Sequence, residues 1–312
     1  MPDVAAGCGL PDTVHASAVT VGTFDGVHRG HFDVLQRLVA TARAGGMASV
    51  LVTFAPHPTE IVRPDAVPLL LTPGLEKLEA LATIGIDYCA VMPFTRRLSA
   101  LTAAEFVRLV LRPRFRMASL LVGHDHGFGR DRAGGRDQLM ALGAADGFAV
   151  EQVAPVSLPD GTVVSSSGIR SAIRDRDLEA ARRGLGRRYS LTGVVRRGDQ
   201  RGRLIGFPTI NLGEPDPRKL LPPAGVYAAV VQTPAGAHGA MVNLGSRPTV
   251  SDARLTVEAN LFEFSGDLYG APVRVDLVAP IRPIRRFAGI AELTGQLAAD
   301  REAARTALTR FA

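Results

Sequence analysis

Cysteine is scarce. Only Cys8 and Cys89 occur among 312 residues, with no CxxC spacing, which argues against a disulfide framework and a cysteine-based zinc site. Aromatic residues are few, at 5%, and none form the stacking run expected of a nucleic-acid reader. No apolar run reaches the roughly 18–20 residues that span a bilayer. The N-terminus carries Asp3 and lacks a basic segment followed by an apolar stretch, so no secretory signal is expected. Like charges never form a block of about five or six. The expectation is a cytoplasmic protein with no membrane and no nucleic-acid partner. A homo-oligomer stays open.

What is present is ordinary globular material: 46% hydrophobic and 21% charged residues, enough for two modest domains with real cores. The net charge of +6 is carried mainly by arginines scattered in pairs such as Arg182-Arg183 and Arg285-Arg286. Such a balance suits anionic small-molecule substrates.

The first half alternates strand and helix patterns. Strands are expected at residues 18–21, 48–54, 88–92 and 119–122, with helices beginning before Val34 and around residues 75–84 and 103–111. Strict alternation implies right-handed crossovers and a parallel, Rossmann-like α/β sheet. One further helix should run from Ser167 to about Arg183. Beyond Gly184-Leu185-Gly186 the pattern changes to short β-rich runs at residues 191–195, 225–232, 239–243, 255–262 and 273–277, separated by Gly, Pro and Asp. These predict a small antiparallel β-barrel, closed by a helix from Ile290. The expected division is residues 1–186 and 187–312.

Within the first half, the segment VGTFDGVHRGH (residues 21–31) leaves a strand and enters a helix. Small residues at Gly22, Gly26 and Gly30 admit phosphates to the backbone, and Thr23 and Phe24 lie between them. The helix start adds free N–H groups and a positive dipole end. His28 and His31, three apart, share a face of the first turn and can donate hydrogen bonds to charge developing on a leaving pyrophosphate. This HxGH turn resembles the signature of nucleotidyltransferases. Phe54-Ala55-Pro56-His57-Pro58 follows the second strand at the end where such sheets place ligands. The Gly-rich loop GHDHGFG, residues 123–129, ends another strand and contains Asp125 and Phe128. Ser165-Ser166-Ser167-Gly168-Ile169-Arg170 opens a helix, with hydroxyls to cap it and an arginine to clamp phosphate.

In the second half the loop Gly198-Asp199-Gln200-Arg201-Gly202-Arg203-Leu204-Ile205-Gly206-Phe207-Pro208-Thr209-Ile210-Asn211 can cradle phosphate on its backbone. Thr209 and Asn211 share one face of an extended strand and offer hard oxygen ligands for Mg²⁺.

In this order the motifs resemble the bifunctional riboflavin kinase/FAD synthetases of prokaryotes, over nearly the whole chain. The resemblance implies that riboflavin, FMN and ATP are substrates and Mg²⁺ accompanies ATP. By the same resemblance, His28, His31 and Arg170 serve adenylyl transfer. Gly22, Thr23, Phe24, Gly30, Asp125, Ser165 and Ser166 hold its ATP, and Phe54, His57 and Phe128 its flavin. In the kinase half, Gly198, Gly202, Arg203, Gly206 and Pro208 hold ATP, Thr209 and Asn211 hold the metal, and Glu258 takes the proton of the ribityl 5′-hydroxyl. The sequence departs from the family pattern at Thr23 (often Asn), His126 (often Phe), Val250 (often Phe) and Asn260 (often His). A single-activity enzyme that keeps one module as a scaffold, and a basic nucleic-acid-binding regulator, are the weighed alternatives.

Overall fold

A computed structural model of the chain describes residues 9–124, 135–198, 200–248 and 253–310. The chain divides into two compact units, residues 1–165 and 166–312.

The first unit is built on five parallel strands: β1 (Ser17–Val21), β2 (Ala48–Ala55), β3 (Tyr88–Pro93), β4 (Met117–Gly123) and β5 (Ala149–Val153). Their order is β3-β2-β1-β4-β5. Every residue of β1 is buried, as a central strand covered on both faces must be. Between β1 and β2 runs α1 (Arg29–Ala44), which turns Val34, Leu35, Leu38, Val39 and Ala42 inward, a 3.6-residue stripe. Two helices, α2 (Pro58–Val62) and α3 (Leu75–Ala82), join β2 to β3. The β3–β4 crossover contains α4 (Arg96–Ser99), α5 (Ala103–Phe106) and α6 (Arg112–Phe115), the last two joined by a wide π-helical turn, Val107–Leu111. α7 (Arg136–Asp146) leads to β5. The chain winds outward from β1 through β2 to β3, then returns to place β4 on the other side of β1. Ligands bind such sheets at this reversal, beyond the carboxyl ends of the two central strands. Thr20 of β1 pairs with Leu121 of β4, so the turn that begins at Gly22 and the Gly-rich loop that begins at Gly123 leave adjacent strands.

The second unit opens with α8 (Ser166–Arg174) and α9 (Leu178–Leu185). The single helix expected over residues 167–183 is thus two: Arg176 adopts a left-handed conformation at φ 62°, and Asp177 caps α9 through the Ala180 amide at 2.8 Å. Next comes a closed six-stranded barrel of β6 (Tyr189–Arg196), β7 (Ile210–Leu212), β8 (Gly225–Thr233), β9 (Gly236–Pro248), β10 (Ala253–Leu261) and β11 (Pro272–Pro283), in the order β10-β7-β6-β11-β8-β9. The short helix α10 (Arg201–Leu204) lies between β6 and β7. The final helix, α11 (Ile290–Arg310), packs on β8, β9 and β11. Between it and the barrel lies an apolar layer that includes Phe207, Val226, Met241, Phe262 and Ala304. α9 rests on β6 and β11, burying Leu178, Ala181 and Leu185.

Two candidate active sites

At the carboxyl end of β1, His28 is the N-cap of α1, and its Nδ1 accepts the His31 amide at 3.3 Å. A neutral His28 therefore carries its proton on Nε2 and presents that atom as a donor. The His28 and His31 rings stack with centroids 3.6 Å apart and planes 17° from parallel. Their juxtaposition was expected from the spacing; the stack and the cap were not. Gly30 leaves room for it: a Cβ there would stand 3.2 Å from His28 Cε1. Phe24 sits 4.8 Å from the His31 ring, and a Cβ on Gly22 would meet the Phe24 ring at 2.9 Å.

The turn itself is held from the side. The buried Asp25 carboxylate accepts the Leu71 amide at 2.9 Å and the Thr72 amide at 3.0 Å, and Thr72 Oγ1 accepts the Gly26 amide at 2.8 Å. The Thr23 carbonyl accepts Thr53 Oγ1 at 3.2 Å and Lys77 Nζ at 2.9 Å. These contacts support a strained backbone, since Phe24 (φ 47°) and Val27 (φ 40°) are both left-handed, a conformation that side chains with a Cβ rarely adopt. Reading the sequence gave Asp25 and Lys77 no role. A carboxylate between glycines before an HxGH turn was the available signal for Asp25; Lys77 is 54 residues from its partner and had none.

Phe54 lies at the end of β2, edge-on to Phe94 at 5.2 Å. His57 caps α2, with Nδ1 accepting the Thr59 amide and its own amide donating to Glu60 Oε1 at 2.9 Å, so its sequence-level assignment to the flavin shares the residue with a capping role. Ser165 is exposed at the end of the first unit. Ser166 begins α8 in the second unit, where Arg170 lies on the buried face with Ile169 and Ile173. Asp125 and Phe128 lie outside the described residues, as do His126 and Val250.

In the barrel, Glu258 of β10 stands directly opposite Asn211 of β7 on one side and Asn243 of β9 on the other. Directly opposed residues share a face, so the carboxylate and two carboxamides form one row across three strands. Their neighbours Val257, Ala259, Leu212, Val242 and Leu244 are buried on the other face. Asn260, two residues on from Glu258 and 6% exposed, donates to the Pro208 carbonyl at 2.6 Å, tying the strand of Glu258 to the loop that carries Thr209. The loop glycines are dictated by contact. A Cβ on Gly198 would fall 2.4 Å from Asn211 Nδ2, and one on Gly202 would fall 2.3 Å from the Phe207 carbonyl oxygen. Gly206 is left-handed at φ 81°. Arg203 and Thr209 are exposed along the same loop.

The comparisons with known proteins divide the chain in the same sense as these two sites. Residues 10–168 match the FAD synthetase family and residues 185–308 the riboflavin kinase family. The bifunctional riboflavin kinase/FMN adenylyltransferase of Escherichia coli (strain K12) is 38% identical over 92% of this chain and 91% of its own length. That of Bacillus subtilis (strain 168) is 32% identical with the same coverage. A crystal structure from Streptococcus pneumoniae, described as a macrolide-efflux protein, superposes with a TM-score of 0.87, 30% identity and 98% coverage of both chains. Among the described residues no helix of this chain is long and apolar enough to cross a membrane. With both family models matched in tandem, and bifunctional relatives alike over 92% of the chain, the chain belongs to the bifunctional riboflavin kinase/FMN adenylyltransferases.

Proposed function

We propose that the barrel phosphorylates riboflavin with ATP to give FMN and ADP, and that the α/β domain transfers AMP from a second ATP to the FMN phosphate, releasing pyrophosphate. The observation that carries the first half is the placement of Glu258 directly opposite Asn211 on one face of the barrel. Glu258 accepts the proton of the ribityl 5′-hydroxyl as that oxygen attacks the γ-phosphorus. The glycines at 198, 202 and 206, with Arg203 and Pro208, shape the loop around the nucleotide. The oxygens of Thr209 and Asn211 are hard donors, and Gly198 leaves the Asn211 carboxamide the space it occupies, so this pair fits Mg²⁺ and would hold it. Mg²⁺ supplies charge neutralisation to the phosphates of ATP.

In the α/β domain His28 offers its Nε2 proton, and with His31 stabilises charge on the departing pyrophosphate. Gly22, Thr23, Phe24 and Gly30 line the phosphate approach; for Asp125, Ser165, Ser166 and Arg170 a nucleotide role is carried by the family resemblance alone. Phe54, His57 and Phe128 take the flavin side. The functional boundary lies near residue 186, and the enzyme works in the cytoplasm. Incubation with riboflavin, ATP and Mg²⁺, with FMN and FAD separated by chromatography, tests the reading. FMN must appear first and FAD from it, and a protein that makes neither refutes the proposal. Supplying FMN directly separates a single-activity enzyme from a bifunctional one.

A further inference from the structure

Lysine is almost absent from this chain: of 36 cationic side chains, only Lys77 and Lys219 are lysine and the remainder arginine. Each lysine has a defined place. Lys219 is buried at 5% exposure, with Nζ 4.3 Å above the Tyr189 ring. Lys77, in the first turn of α3, reaches across to the turn after β1 and donates to the Thr23 carbonyl at 2.9 Å. That carbonyl also accepts the Thr53 hydroxyl at 3.2 Å.

The C=O and N–H of a trans peptide point in opposite directions. Fixing the Thr23 carbonyl with Lys77 and Thr53 therefore fixes the direction of the Phe24 N–H, at the residue whose left-handed backbone begins the HxGH turn. The same stretch of chain is also clamped at Asp25 and Gly26 through Leu71 and Thr72, but in those contacts the donors are backbone amides, to the Asp25 carboxylate and to Thr72 Oγ1. Lys77 brings a positive charge within hydrogen-bonding distance of the Thr23 carbonyl. An ammonium is a compact charge with three donors, whereas a guanidinium is a planar fork, so the two are not interchangeable at a single carbonyl.

Resting on the adenylyltransferase reading above, we propose that Lys77 is a positioning residue of FAD formation: it presets the Gly22–Thr23–Phe24 backbone and its electrostatic field for the triphosphate of ATP. Because it acts before chemistry, its loss falls on nucleotide capture rather than turnover. The test is steady-state kinetics of FAD formation from FMN and ATP by the full-length protein carrying Lys77→Met or Lys77→Arg, with FMN formation from riboflavin measured in the same preparations. Lys77→Met is expected to raise the KM for ATP in FAD formation by about tenfold, with kcat changed by less than about threefold. Lys77→Arg is expected to leave most of that increase in place, and FMN formation is expected to stay at the wild-type level in both. A wild-type KM for ATP in Lys77→Met, full restoration by Lys77→Arg, a loss confined to kcat, or equal loss of both activities would each overturn the proposal. Wild-type protein that makes FMN but no FAD overturns the adenylyltransferase reading and this inference together, whereas normal FAD formation with a silent Lys77 overturns the inference alone.

Discussion

His28 both caps α1 and supplies an imidazole to the turn, and the two roles can be separated. Asparagine is a strong N-cap but has no ring nitrogen. His28→Asn is expected to keep the melting temperature within about 4 °C of wild type, yet lower FAD formation by about a hundredfold or more, with FMN formation unchanged; chromatographic assay and thermal melts read both. Glu258→Ala should do the reverse, abolishing FMN formation while FAD still forms from supplied FMN. A second residue-scale expectation concerns acid. The Ser49 hydroxyl and amide donate to Asp87 Oδ2 at 2.6 and 2.8 Å and hold this carboxyl below the usual carboxylate range. A carboxyl whose folded value is depressed stabilises the fold at neutral pH and loses that contribution as pH falls through its ordinary and then its folded value. Thermal melts of wild type and Ser49→Ala should differ near neutrality, and the gap should narrow as pH falls through the depressed folded value of the Asp87 carboxyl. A gap that widened in acid would contradict this. Because Asp87 is largely exposed, the gap is expected to be small.

Among the elements, β10 and the loop before β7 depend on each other through Asn260, whose side-chain N–H reaches the Pro208 carbonyl. Asn260→Asp replaces that donor with an acceptor, setting a carboxylate against a carbonyl, and should reduce FMN formation by about tenfold or more. Asn260→His restores a ring donor and should do less harm. Gly202→Ala is expected to be more damaging than either, because its Cβ would lie 2.3 Å from backbone oxygen, which has no rotamer to escape into; kinase assays alongside FAD formation distinguish the loop from general unfolding.

These elements also show what could be read from the chain. The buried faces of β1, β2 and α1 followed directly from apolar periodicity, and five barrel strands from short β-rich runs between turn residues. β7 was too short, at three residues, to display any alternation, although Thr209 and Asn211 had already been placed on extended backbone. α7 and β5 were missed: β5 has one fully buried residue of five, and α7 buries only Leu139 and Gly143, so neither carries a strong stripe. The break between α8 and α9 was signalled by Asp177, a capping residue that composition-based reading passed over among its arginines. At the sites, local strings exposed His28, His31, Thr209 and Asn211. Lys77, Asn243 and the tie from Asn260 to Pro208 depend on pairings between distant segments, which spacing does not encode.

Across the whole molecule, the separability of the two activities can be tested with fragments. The change in sequence character falls near residue 186, whereas the second compact unit begins at Ser166. α9 packs its apolar face on β6 and β11, so a fragment that starts at residue 187 exposes strand surface that a fragment from residue 166 keeps covered. Residues 166–312 are expected to melt several degrees higher than residues 187–312, and to make FMN from riboflavin without the first unit. Equal melting temperatures would show that α9 contributes nothing to the barrel.

The three-residue strand β7 pairs with β6 on one edge and β10 on the other, and is the staple that turns an open sheet into a ring. Asn211 takes part in both pairings, opposite Arg196 and opposite Glu258. Completing the ring and bringing the carboxamide to the carboxylate are therefore one event. A barrel still open at this seam has neither a finished hydrogen-bond ladder nor a matched pair at its site, so a nascent or partly unfolded chain is expected to transfer no phosphate from ATP to riboflavin there. Appearance of kinase activity during refolding should coincide with protection of the β7 amides from hydrogen exchange, making the enzyme's own turnover a reporter of barrel closure.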